Sequence, residues 1–191
     1  FVFIGYKLSK DQEKEALRLQ NEKNTPKDSK KDTDEEKIVM LDPLSLEIGY
    51  ALIPLVQKEK GAELVERISK IRYQARRDMG FDLPNIRIRD DVTLDPNDYS
   101  FKIDGIEVGR ANVKLGYVMC MNPGTVVEPL QGEITKDPAF GMDAIWLPEE
   151  QRAEAEEAGY IVADAPNLIA THITEIVKAH AADMLEDRKS V

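Results

Sequence analysis

Phe101-Lys102-Ile103-Asp104-Gly105-Ile106-Glu107-Val108 alternates apolar and polar residues on both sides of an Asp-Gly pair. That dipeptide suits a two-residue turn with positive φ at both centres, and the alternation suits strands with one wet face. The stretch therefore reads as an antiparallel hairpin in the middle of the chain. Upstream, Asn85-Ile86-Arg87-Ile88-Arg89-Asp90 alternates in the same way. Downstream, strand character continues through Ala111-Asn112-Val113 and Tyr117 to Met121, until Asn122-Pro123-Gly124 stops it. Before the hairpin, Ala62 to Met79 has helical periodicity, with Leu64, Val65, Ile68, Ile71, Arg72 and Ala75 on one face. Gly80 supplies its stop, and Arg76 and Arg77 suit the negative end of the helix dipole.

Moving outward, Ile38-Val39-Met40-Leu41 and Leu46 to Val56 read as strand-like runs broken by Asp42-Pro43. Pro54 places its part at an edge or strand end, and Gly49 signals a bulge or a close backbone approach. Towards the C-terminus, Pro148 with Glu149 and Glu150 opens a surface helix ending at Gly159, and Tyr160-Ile161-Val162-Ala163 is a short strand. Asp164 caps a last helix to about Leu185, with Leu168, Ile169, Ile173, Ile176, Val177 and Met184 inward and a break expected near Thr171. The order βαββββ, an irregular stretch, then αβα points to an α+β fold rather than a doubly wound sheet.

Charge divides the chain. Residues 7–37 carry nine basic and nine acidic side chains and almost no apolar ones after Leu19, the signature of a flexible charged linker. The whole net charge of -10 therefore falls on the remainder. A body that acidic lacks the basic surface that nucleic acid requires, and anionic lipid does not attract it. Basic or mixed-charge protein partners suit it better. Residues 1–6 are apolar but too short to span a bilayer, which takes about 20 residues. Cys120 is the sole cysteine, so no internal disulfide framework or CxxC metal site exists, and its apolar run makes it a buried small side chain.

The irregular stretch is Asp137-Pro138-Ala139-Phe140-Gly141-Met142-Asp143-Ala144-Ile145-Trp146. Asp-Pro starts a turn, and Ala-Phe-Gly sets one large ring between two residues with almost no side chain. Two readings stand: a loop that plugs its aromatics into the core, or a shallow apolar depression with an exposed ring and an acidic rim. Catalytic signals are nearly absent. There is no GxGxxG and no P-loop, and no serine sits in a nucleophile elbow. His172 and His180 are eight apart, too far for an HExxH pair, and read as helix-surface or capping residues. Asp137 and Asp143 remain as a conceivable acid–base pair of a small hydrolase. No cofactor or metal is implied, and an interaction module fits better than an enzyme.

Asp42-Pro43-Leu44, Glu47-Ile48-Gly49-Tyr50 and Leu52-Ile53-Pro54 resemble the start of the cytoplasmic domain in the FlhA family of flagellar type III export-gate proteins (FHIPEP). Met79-Gly80-Phe81, Ile88-Arg89-Asp90, Met121-Asn122-Pro123-Gly124, the 137–146 stretch, Ala158-Gly159-Tyr160 and Ile169-Ala170-Thr171-His172 extend the likeness over about residues 38–185, in order. Virulence-type secretion homologues share the fold, but the 137–146 and 169–172 segments look flagellar.

The resemblance implies two small mixed α/β subdomains, the first at 38–115 plus 165–185 and the second inserted at 116–164. Residues 1–6 would end a transmembrane helix, 7–37 would form the linker, and 186–191 would begin a third subdomain. It implies a place at the bacterial inner membrane, with this part on the cytoplasmic side. It also implies self-association into a nonameric ring that needs subdomains outside this chain, and contact with other export-apparatus proteins. In the family, a dimple between the first two subdomains docks export chaperones carrying filament-type cargo. The residues that match it are Asp137 as a rim acceptor, Phe140 as the apolar anchor and Thr171 as the far wall; Gly49 matches a structural glycine. The linker is unusually lysine-rich, so the linker contacts of relatives are not carried over.

Overall fold

In the computed structural model, residues 42–80 and 82–186 are described, the last five by their backbone alone. The expected strand at 38–41, the linker, the apolar residues 1–6 and the segment 187–191 lie outside the described residues. The central hairpin forms as its sequence dictates. Strand β3 (Asp98–Ile103) pairs antiparallel with β4 (Ile106–Asn112) across Asp104 and Gly105, whose φ values are 49° and 78°. Both central residues thus occupy the left-handed region that a type I′ turn demands.

Strand β1 (Leu44–Ile48) lies antiparallel beside β3 and parallel to β2 (Ile86–Asp90), giving a first sheet in the order β2-β1-β3-β4. Helix α1 (Glu63–Gln74) makes the crossover between the parallel strands and widens into a π turn, Ala75–Met79, before Gly80 ends it. The sheet is two-faced. Leu44, Leu46, Ile48, Tyr99 and Phe101 point into the core, while Glu47 and Lys102 form a 2.6 Å ion pair on the other side. Leu64, Ile68, Ile71 and Ala75 of the helical segment cover the apolar face, but Val65 and Arg72 are turned outward. An α-helix stripe is narrower than the six positions counted from spacing alone, so its two flanking residues stay wet.

Three expectations are corrected. After β1 the run Tyr50–Leu55 is a 3₁₀ helix rather than a strand, because Pro54 has no N–H for a ladder and fits a short helical turn. The stretch read as irregular holds two strands, β6 (Glu133–Lys136) and β7 (Asp143–Pro148), joined by a turn. The last helix, α3 (Ala165–Glu186), runs without a break at Thr171. Its N-terminus is capped by Asp164, whose Oδ1 accepts the Asn167 N–H at 3.0 Å.

Strand β5 (Tyr117–Met121) pairs with β7 and with β8 (Ile161–Ala163), giving a second sheet in the order β6-β7-β5-β8. Its central strands, β5 and β7, carry buried apolar residues on both faces because both faces are covered there. Met119, Met121, Ala144 and Trp146 join the same core as the first sheet and α3. Val118, Cys120 and Leu147 face a smaller cluster with Tyr160 and Ala155, the latter from helix α2 (Arg152–Glu157). The helix expected to bury little thus contributes Ala155, which is fully enclosed. Burial pushes the Cys120 thiol up to about 11, which leaves it protonated and unreactive at neutral pH.

Candidate docking site

The β6–β7 turn is built by its own residues. Asp137 takes the position before a single helical turn, and Pro138 follows where a missing N–H costs nothing. The Asp137 carboxylate accepts the Phe140 N–H at 2.6 Å, and the Gly141 N–H donates to the Asp137 carbonyl at 2.8 Å. Gly141, at φ 70°, ends the turn in the left-handed region, and the Asp137 N–H closes the loop onto the Met142 carbonyl at 2.8 Å. Five residues therefore hold themselves in a capped loop whose outermost large side chain is Phe140.

That ring is 60% exposed, and Met142 two residues on is 36% exposed. Trp146, by contrast, is 4% exposed on β7. The two readings of this stretch thus divide between its two aromatics: Trp146 is core and Phe140 is surface. Asp137 is 4% exposed, so it lies beneath the rim and supports the turn from below. The resemblance implies a rim acceptor, whereas here the carboxylate accepts the Phe140 N–H of its own turn. Thr171 is exposed on α3, and the next residue, His172, is buried.

His172 is a second correction. Its Nδ1 lies 2.7 Å from the Tyr99 hydroxyl, inside the fold rather than on the helix surface. Eight residues on, His180 is half-buried, with Nδ1 2.8 Å from the Ile176 carbonyl oxygen. Gly109 lets α3 come down onto β4: a Cβ there would sit 2.3 Å from the Ile176 Cδ1 and 3.2 Å from the His172 Cε1. The Asp137 carboxylate is close enough for its charge to act on both Tyr99 and His172. Burial lowers the basicity of His172, with the Asp137 charge opposing it, and burial together with that charge raises the Tyr99 hydroxyl. Neither Tyr99 nor the burial of His172 was legible from spacing, because no local pattern pairs residues 73 positions apart.

A stability consequence follows from the lowered His172 value. The unfolded chain protonates this histidine near its ordinary 6.5, and the folded chain only at lower pH. Between those two values the unfolded state binds more protons, so stability rises with pH there and is lost on acidification. Denaturant midpoints between about pH 7.5 and 5.5 should fall more steeply in the wild type than in His172→Asn. Parallel slopes would contradict the burial of a neutral imidazole.

Asp137 and Asp143 do not form an acid–base site. Asp137 is occupied with its own turn, whereas the Asp143 side chain is 91% exposed, 3.7 Å from Lys136. Clefts of about 330, 560 and 250 Å³ are lined by other residues and include neither carboxylate. Among the described residues no cluster of His, Cys, Asp and Glu has metal-holding geometry, and no helix is long and apolar enough to cross a membrane.

The described residues form an α+β body that carries an exposed aromatic turn. Comparison with known proteins gives its family: the FHIPEP family model matches residues 1–190, and the chain belongs to that family. It is 45% identical over 190 residues to the flagellar biosynthesis protein FlhA of Treponema pallidum, covering 97% of this chain and 27% of that protein. The Bacillus subtilis protein of the same name is 36% identical over 186 residues, covering 96% of this chain and 28% of the relative. The chain thus spans about a quarter of the length of these relatives. Among solved structures, the Chlamydia pneumoniae CdsV protein superposes with a TM-score of 0.64 at 21% identity, over 75% of this chain and 44% of that one. A cytoplasmic domain of Salmonella InvA gives 0.55 at 18% identity, over 78% and 85%. At such identities these two likenesses speak for the fold.

Proposed function

We propose that this chain is part of the export gate of the flagellar type III secretion apparatus, and that its 137–142 turn docks export chaperones carrying filament-type cargo. The observation that carries the reading is Phe140: a large ring left 60% exposed on a turn hydrogen-bonded onto its own Asp137 and ended by Gly141. An ordered, exposed aromatic is a low-entropy anchor for an apolar side chain of a partner, the commonest form of an interface hot spot. Met142 adds apolar area beside it, and Thr171 supplies a polar edge on α3 next to the residue that faces Asp137. Asp137 acts by shaping the turn. A small contact with one dominant anchor gives the weak, reversible binding that a relay of many cargoes needs.

Relatives named flagellar biosynthesis protein FlhA support the flagellar assignment over a virulence-type one. A nonameric SctV-C assembly shares this fold at a TM-score of 0.51, and a ring of this chain's whole protein is part of the same proposal, with the remaining subdomains as ring builders. The domain so placed lies on the cytoplasmic side of the inner membrane.

The test is calorimetric titration of the 191-residue chain with a cargo-loaded filament-type chaperone. Phe140→Ala should weaken binding by about 2 kcal/mol, roughly 30-fold, while shifting unfolding stability by no more than about 0.5 kcal/mol. Unchanged affinity in a folded Phe140→Ala chain would sink the assignment.

A further inference from the structure

The segment that follows β5 crosses the smaller apolar cluster and, with helix α2, walls a cleft of about 560 Å³. That segment is fixed at both ends. Asn122 Oδ1 accepts the Gly124 N–H at 2.8 Å, the Tyr160 hydroxyl accepts the Leu130 N–H at 3.0 Å, and Val126 and Leu130 pack on the cluster. Between those ties Val127 is lifted into water, 90% exposed, with Pro129 beside it. On the other wall, fully enclosed Ala155 pins α2 to the same cluster, and Ala158 at the helix end lines the cleft. Both walls are thus anchored by the fold itself, and the apolar surface between them stays open to water.

Charge decides what this groove fits. Glu128 on one wall and Glu154 and Glu157 on the other line it, and no lysine or arginine does. Among the described residues the glutamates in ion pairs are Glu47, Glu133, Glu149 and Glu175, so the charge of these three is uncompensated. Glu154 accepts a 3.5 Å hydrogen bond from Gln151, which is neutral. A cleft lined by one sign of charge focuses its field and draws in the opposite sign. The three carboxylates do not converge on metal-holding geometry, so a single ion does not bridge them, whereas a chain bearing several cations reaches each in turn. Lysine and arginine suit both parts of the groove: their aliphatic stems lie on apolar surface while their heads reach carboxylates. A second copy of this chain would bring the same acidic rim to the contact and be repelled.

We propose that this cleft is a further interaction surface, which takes a basic segment of a protein partner in which lysine or arginine flanks apolar side chains. It shares no residue with the 137–142 turn, so it stands whether or not that turn docks a chaperone.

The experiment titrates the 191-residue chain with a short amidated peptide, lysines flanking a pair of leucines, and follows backbone NMR shifts. Saturable shifts should concentrate at 125–130 and 154–158. Glu154→Gln combined with Glu157→Gln should weaken binding about tenfold, and Val127→Ser about fivefold. Raising salt from roughly 0.05 to 0.3 M should weaken binding to the wild type more than to the double variant. Phe140→Ala should bind the peptide as the wild type does. All the substituted side chains are exposed, so the variants keep the fold. Absence of saturable shifts, or shifts centred on the 137–142 turn, overturns the proposal. So does an equal loss in Glu59→Gln combined with Glu66→Gln, two exposed glutamates outside the cleft, since net charge alone would then attract the peptide. Self-association of the chain that Val127→Ser abolishes also overturns it, by making a second copy the occupant.

Discussion

Trp146→Ala should destabilise the chain by about 3–5 kcal/mol, the largest single-residue effect expected outside the backbone. The indole is 4% exposed and sits in the middle of the second sheet, opposite Met119 on β5 and Glu133 on β6. It belongs to the core shared by the first sheet, α1 and α3, so its removal opens a cavity where both sheets contribute atoms. Beta-sheet backbone on either side keeps the walls from closing in, and a wall that cannot collapse leaves the full cavity cost. For a body of this size that corresponds to a fall in melting temperature of roughly 6–20 °C. Far-UV circular dichroism is the readout, since the substitution removes the only tryptophan fluorophore. A loss below about 1 kcal/mol would mean that the cluster repacks around the gap and that the second sheet is only loosely tied to the first. Phe140→Ala, six residues earlier, serves as the internal contrast because its ring is already in water.

Gly49→Ala should cost about 3 kcal/mol, at the upper end of overpacking effects. The reason is steric and does not involve φ, which is an ordinary -68°. A Cβ at this position would lie 2.2 Å from the Asp95 carbonyl oxygen and 2.5 Å from that of Pro96. Both are backbone atoms and cannot swing aside as a side chain can. The same approach is tied by hydrogen bonds, with the Gly49 N–H donating to the Asp98 carbonyl at 2.8 Å and the Ala51 N–H to that of Pro96 at 3.0 Å. Relief therefore requires moving the 95–98 segment, which leads directly into β3 and Tyr99. Thermal unfolding of Gly49→Ala and Gly49→Val measures the effect. A melting temperature equal to that of the wild type would show that the 95–98 segment yields freely.

The elements whose signals are local were legible in the chain. A tight two-residue hairpin needs positive φ at two successive residues, and Asp104-Gly105 is a pair that adopts it readily. Helix α1 and the cap of α3 at Asp164 were legible for the same reason, since spacing and capping chemistry act within a turn or two. Strands β6 and β7 were not. Glu133-Ile134-Thr135-Lys136 is short and its Ile134 is almost wholly exposed, so the pattern offers no buried face to detect. That segment is a strand because β7 lies beside it with free backbone groups. The 3₁₀ turn at Tyr50–Leu55 was hidden for the converse reason: its apolar content reads like a strand, and only the ladder that Pro54 cannot join decides otherwise.

The same division runs through the candidate site. Sequence by itself determined the acidic charge of the body, that 137–141 would turn, and which family's motifs the chain carries, because charge, turn chemistry and motif order are properties of neighbouring residues. Tertiary structure alone decided that Phe140 faces water while Trp146 is buried, that Asp137 supports the turn from beneath, and that Tyr99 meets His172. Those outcomes depend on which surfaces the two sheets and α3 bury against one another, and burial is a property of the packed whole that no short stretch of chain encodes.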